Sequence, residues 1–306
     1  TKKTEPIKVE TKKVEPAKVE TQKAEAVKVE TAKVESAKVE TKKTETAKVE
    51  TTKAEPVKLE NKRDDDHIYR ERLARHLDEL KWLYCELYQD NPYVTMHLND
   101  LLKVLKKFYD MRNDALKESD LNREKDPTWY KRNDLIGMMM YVNAFAGTLS
   151  NLESKLDYIQ ECNVNYLHLM PLLESPEGKS DGGYAVSDFR KVQPELGTME
   201  DLESLADECR KKGISLCMDF VMNHTSEDHE WAQKARMGEG EYMSRYFFCD
   251  NENYVREYEK TVPQVFPETA PGNFTWLPEI GHYVLTTFYP YQWDLNYKNP
   301  RVFNEM

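Results

Sequence analysis

In SDGGYAVSDF, residues 180–189, an aspartate precedes two glycines and a tyrosine follows them. Asp-Gly is a strong turn dipeptide, and glycine takes positive φ at no steric cost. The same arrangement can also do chemistry. The Asp181 carboxylate can grip hydroxyls while the Tyr184 ring packs the apolar face of a pyranose. A second cluster, Asp219, Asn223 and His224, closes the stretch ISLCMDFVMNH, residues 214–224. Each residue alone has a plainer reading: a turn at Gly182 and Gly183, core packing for Tyr184, a satisfied structural histidine at His224. His168 reads as structural, and Asp188 and Asp294 as loop-anchoring acids.

What would unite the two clusters is a parallel sheet. The apolar run MMMYVNAF (138–145) suits a strand buried on both faces. Ser150 with Glu153 reads as a capping box, and Leu152, Leu156 and Ile159 give the buried stripe of the next helix. VNYLHLMPLL (164–173) is the second strand. Thr198 and Asp201 cap a helix with the stripe Leu202, Leu205, Ala206 and Cys209, which Lys211, Lys212 and Gly213 close. ISLCMDFVMNH is the third strand and its exit. Strands alternating with helices argue a parallel sheet with right-handed crossovers. Loops leaving the carboxyl ends of such strands gather on one face, where the chemistry of α/β barrels collects. Asp181 and Tyr184 follow the second strand; Asn223 and His224 follow the third.

Residues 225–296 carry no helix long enough to cross back to the sheet. A structureless span of that length in a compact domain suggests an inserted, loop-rich subdomain, and its Trp, Tyr, Phe and Pro content suits aromatic platforms. Asn299 and Pro300 then read as an N-cap and the first helical position, so 135–224 and 297–306 belong to one α/β unit. Residues 61–134 read as an α-helical N-terminal domain. Its first helix has the stripe Leu73, Leu77, Leu80, Leu83 and Leu87, Asn91-Pro92 breaks it, and a second stripe runs through Leu98, Leu101, Leu102, Leu105 and Phe108. His67, His76 and His97 there are solvent-facing or packing residues.

The first 60 residues are six ten-residue repeats, from TKKTEPIKVE to TTKAEPVKLE, with fifteen Lys and twelve Glu. A ten-residue period drifts around any helix, and Pro6, Pro16 and Pro56 interrupt it further. This low-complexity segment is expected to be a disordered tail, serving as tether or spacer. It carries +3 and the remainder −14, giving the chain's −11. Every lysine of the tail has a glutamate near it, so no block of positive charge argues for nucleic acid. No apolar run approaches the roughly 18 residues of a membrane span. The five cysteines, Cys85, Cys162, Cys209, Cys217 and Cys249, show no metal or disulfide spacing, which favours a reducing, cytoplasmic setting over a secreted one. No signal-like segment is visible.

DFVMNH (219–224) resembles the first signature of the α-amylase superfamily. Together with YLHLMPLLESPEGKSDGGYAVSDFR and TTFYPYQWDLNYKNPRVF it resembles, over about residues 66–306, the amylosucrase family of that superfamily. The resemblance implies an N-terminal helical domain, then strands 1–3 of a (β/α)8 TIM barrel with a B-type subdomain inserted after strand 3. It implies α-glucosyl transfer from sucrose to an α-1,4-glucan or to water, by a retaining double displacement that releases fructose. By that likeness Asp181 would line the base of the glucosyl pocket and pair with an arginine. Tyr184 would stack on the ring, and His224 would hydrogen-bond the 6-hydroxyl. Phe288 would add apolar wall, and Gln292 would face the fructosyl or acceptor side. Asp219 would orient its neighbours. Asn223, a calcium ligand in many amylases, would here hold its loop by hydrogen bonds, so no metal or other cofactor is expected.

Retaining glycosidases need two carboxylates about 5–5.5 Å apart. In this family they follow strands 4 and 5, and no such arginine-aspartate motif occurs in the sequence. The expectation is therefore the substrate-holding half of an enzyme, with nucleophile and acid/base beyond residue 306, inactive alone. Two rival readings stand beside it: a non-catalytic α-glucoside-binding or tethered structural protein, and another α-glucosidase of the superfamily.

Overall fold

The computed structural model describes residues 64–306. The repeat segment 1–60, with its expected role as tether or spacer, lies outside the described residues. Three helices open the described chain: α1 (Asp65–Leu87), α2 (Val94–Met111) and α3 (Asp114–Lys125). Asp64 caps α1 by accepting from His67 N–H, and Asn113 caps α3 by accepting from Leu116 N–H. The leucine stripe expected on α1 is displaced. Leu83 and Leu87 are 50% and 60% exposed, whereas Tyr84 and Tyr88 are buried with Leu98 and Leu101. The physical reason is a polar anchor that leucine cannot supply. Tyr84 Oη donates to Asn304 and Tyr88 Oη to the Tyr297 carbonyl, both at 3.0 Å. The helical region is thereby bonded to the far end of the described chain.

The α/β part runs β1 (Gly137–Met140), α4 (Val142–Phe145), α5 (Leu149–Glu153), α6 (Leu156–Glu161), β2 (Tyr166–Leu169), β3 (Leu173–Glu174), β4 (Asp188–Val192), α7 (Met199–Lys211) and β5 (Ser215–Met218). Strands β1, β2 and β5 form one parallel sheet in that order, with Met139, His168 and Cys217 in register across it. These are the three expected barrel strands, each shorter than its apolar run. MMMYVNAF is strand only to Met140 and then turns into α4, because an apolar run alone does not separate strand from buried helix. The second run stops at Leu169, and Pro171, which has no N–H to give a ladder, precedes β3 in a different sheet with β4.

Leu167 and Leu169 pack on one face of the sheet against Leu149, Leu152, Leu156, Ile159, Leu202 and Leu205, all in one apolar cluster. The cap of α5 is Thr148, which accepts from Asn151 N–H; Ser150, expected to cap, donates its hydroxyl to Asp201 instead. Thr198 and Asp201 do form the capping box of α7, as their spacing predicts, although Ala206 of its expected stripe faces solvent.

Beyond β5 lie β6 (His224–Ser226), α8 (Glu230–Arg236), α9 (Gly240–Met243), β7 (Phe248–Cys249), α10 (Glu252–Glu259), β8 (Phe274–Leu277), β9 (His282–Leu285), β10 (Gln292–Asp294) and α11 (Pro300–Glu305). Strands β7, β9 and β8 form an antiparallel sheet, and β6 pairs antiparallel with β10. Helices α8, α9 and α10 are too short to cross back, as expected. The segment has its own apolar cluster, built on Trp293, Tyr246 and Trp231. Asn299 caps α11 with Pro300 at its start.

Candidate functional site

Two loops meet at the carboxyl ends of β2 and β5. In the first, Asp181, Gly182 and Gly183 hold three successive left-handed conformations, φ +50°, +67° and +95°. Glycine takes such angles freely and aspartate is among the side-chain-bearing residues that tolerate them best. A Cβ at Gly183 would lie 2.8 Å from Pro171 Cβ and 3.1 Å from the Pro171 carbonyl oxygen, so this glycine is required by close approach as well as by φ. The turn presents Asp181 and Tyr184 to the same cleft. The turn reading of SDGGYAVSDF holds, and the turn aims Asp181 and Tyr184 into the cleft.

The cleft has a volume of about 640 Å³. Asp181, Tyr184, Asp219, Asn223, His224 and Phe288 line it, drawn from both loops and from the segment before β10. Tyr184 Oη donates to Asp219 Oδ2 at 3.0 Å, and Asp219 Oδ1 faces His168 Nε2 at 2.8 Å. Burial, reinforced by the Asp219 carboxylate, pushes the Tyr184 phenol up to about 12. The ring of Phe288 lies 5.0 Å from that of His224.

His224 is buried, and burial holds its imidazole below the ordinary range, so it is neutral near pH 7. Asn223 Nδ2 lies 3.3 Å from its Nδ1, and the Tyr184 carbonyl lies 3.1 Å from its Nε2. The amide nitrogen of Gln292 lies 3.0 Å from the same Nε2. Both ring nitrogens are then held by the protein. Asn223 also donates to Asp294 Oδ1 at 2.5 Å, while Thr287 N–H donates to Asp294 Oδ2 at 2.6 Å. These bonds tie the third-strand loop to β10.

Gln292 is fully buried and is not among the residues that line the cleft. Its Nε2 donates to Asp181 Oδ2 at 3.1 Å, and its Oε1 accepts from Tyr289 N–H at 3.0 Å. Asp181 thus holds an amide partner among the described residues where an arginine was expected. Sequence reasoning missed Tyr141, Phe220, Met222 and Phe266, which also line the cleft. Tyr141 and Met222 were readable only as apolar-run residues. It also set His168 aside as structural, although His168 faces Asp219 directly.

The sequence profile described as "Alpha amylase, catalytic domain" matches residues 104–306. The trehalose synthase of Pimelobacter sp. (strain R48) is 38% identical over 161 residues, covering 52% of this chain and 27% of that protein. Maltase 1 of Drosophila virilis is 36% identical over 163 residues, 52% of this chain and 25% of its own length. Among solved structures, a mutant of the trehalulose synthase MutB from Pseudomonas mesoacidophila MX-45, in complex with the substrate sucrose, superimposes with a TM-score of 0.51. That match is 30% identical and covers 58% of this chain and 32% of MutB. The chain therefore spans about a quarter to a third of the length of these relatives.

Proposed function

The chain belongs to the α-amylase catalytic-domain family, and from that premise we propose that its cleft is the glucosyl-holding half of an α-glucoside site. The observation that carries the reading is the convergence of Asp181, Tyr184 and His224, from two strand-end loops, on one cavity closed on a side by Phe288. An acid that accepts hydroxyl hydrogen bonds beside aromatic faces is what a pyranose requires: polar edges and apolar planes recognised together.

The reaction we assign is α-glucosyl transfer from sucrose, of the amylosucrase type. A carboxylate attacks the anomeric carbon while a second carboxylic acid protonates the departing fructosyl oxygen, giving a covalent glucosyl-enzyme and free fructose. The second group, now a base, then takes a proton from a glucan hydroxyl or water, whose oxygen displaces the carboxylate with net retention. Asp181 and Asp219 are both committed to protein partners, so we assign neither of them as nucleophile. The 306-residue chain is accordingly expected to bind without turnover. The sucrose complex of MutB supports sucrose as donor; the similarity to a maltase supports, as second reading, an α-glucosidase acting on maltose-type substrates.

Calorimetric titration of the chain with sucrose, trehalose, maltose and fructose tests this. Binding shared by the three α-glucosides, with fructose alone weak, is the expected result. Equal binding of fructose would overturn the assignment, and release of fructose from sucrose that survives repurification would overturn the expectation of binding without turnover. Maltose bound well ahead of sucrose would favour the second reading.

A further inference from the structure

The bonds around Asp219 give His168 a function. His168 sits on the central strand of the parallel sheet, with Met139 beside it on β1 and Cys217 on β5. Its neighbours Leu167 and Leu169 are fully buried on the opposite face, so its register is fixed. Asp219 is the first residue past β5, and its N–H donates to the Leu169 carbonyl. Both partners are therefore anchored by strand backbone, whereas Tyr184 is held by a glycine turn. A carboxylate rotates broadly about its last bond unless its two oxygens are engaged. Here they are engaged from two directions, Oδ1 by His168 and Oδ2 by Tyr184.

We infer that His168 is a positioning residue of the cleft: by holding Oδ1 of Asp219 it keeps Oδ2 aimed at the Tyr184 hydroxyl and so fixes the aromatic face against which a ligand ring packs. The sheet thus dictates the orientation of a loop side chain through two hydrogen bonds. His168 itself does not line the cavity.

The test compares His168→Phe, which fills the volume without a donor, with His168→Gln, which keeps a donor at similar reach. Should the larger ring not fit, His168→Leu takes its place. The readout is the Tyr184 ring carbon signal in the tyrosine-labelled 306-residue chain, assigned by Tyr184→Phe. Losing a merely packed imidazole leaves Asp219 in place with less of its charge neutralised, so the Tyr184 phenol would titrate unchanged or higher. Losing a positioning donor lets Asp219 turn away, so the phenol should titrate lower by half a unit or more, with the ring signal broadened. His168→Gln should restore both. An unchanged or raised phenol titration in the Phe variant, or a Gln variant behaving like the Phe variant, would overturn the inference.

A second measurement rests on the sugar-site reading above: sucrose affinity should fall about tenfold in His168→Phe and recover in His168→Gln. If no sugar binds the unsubstituted chain, that reading fails while the Tyr184 titration still decides the role of His168.

Discussion

The carboxylate of Asp181 accepts a hydrogen bond from the amide of Gln292 at 3.1 Å, although the two residues are 111 positions apart. Gln292 cannot turn its amide around, because Oε1 already accepts from Tyr289 N–H. Gln292→Leu leaves that N–H and the Asp181 oxygen without their protein partner. It should cost about 1–3 kcal/mol of stability and weaken sugar binding as well. Urea denaturation and calorimetry on the same samples check both effects.

Asp181→Asn separates shape from charge. Asparagine accepts the left-handed backbone found here, so the denaturation midpoint should stay close to that of the unsubstituted chain. A hydrogen bond from a ligand hydroxyl to a charged acceptor is worth on the order of 1.5–3 kcal/mol, so α-glucoside affinity should drop roughly ten- to hundredfold. Unchanged affinity, measured by calorimetry, would return the stretch to a plain turn.

Gly183→Ala should destabilise the protein more than Gly182→Ala does. Both need positive φ, but a methyl at Gly183 meets Pro171 backbone, whereas at Gly182 it meets only the Tyr141 hydroxyl at 3.2 Å. A side-chain hydroxyl moves aside; a packed proline does not. Costs of about 2–3 kcal/mol and about 1 kcal/mol are expected from equilibrium unfolding.

Acid sensitivity should trace to a buried histidine outside the cleft. His229 caps α8 by accepting from Trp231 N–H on Nδ1, and burial pushes its imidazole down to about 4. The folded state binds this proton less readily than the unfolded chain, where histidine titrates near 6.5. Its contribution to stability is therefore complete above about pH 6.5 and is lost as pH falls towards 4, up to about 3 kcal/mol. His224, shifted in the same direction by burial, adds to the loss. His229→Asn keeps a good cap and cannot charge, so its urea midpoint should fall less steeply over that window.

The sheet was legible from sequence because its determinants are local: apolar runs, capping pairs such as Thr198 with Asp201, and glycines closing helices. Strand ends were not, since Met140 and Leu169 stop where the tertiary ladder stops while the apolar run continues. Asp181, Tyr184 and His224 were legible through residue type next to strand ends, and Phe288 and Gln292 only through family likeness. The burial of Gln292 and the partnership of His168 with Asp219 depend on which strands lie side by side, and no spacing along the chain encodes that. The Tyr84 and Tyr88 anchors escaped the leucine periodicity for a related reason, because their partners, Asn304 and Tyr297, lie more than 200 positions away.

The pairing of β6 with β10 brings Asp294 opposite His224 in the ladder, seventy positions along the chain. Parallel strands β1, β2 and β5, by contrast, are joined by spans about two-fifths and seven-tenths as long. Loop-closure entropy grows with the logarithm of span, and non-local contacts yield nothing until the loop has closed. The order of assembly follows: a chain emerging amino end first can build its sheet and bury Leu167 and Leu169 while Asp181 still lacks Gln292 and Asn223 still lacks Asp294. The cleft is accordingly expected to close after the sheet, because its ties join residues farther apart along the chain.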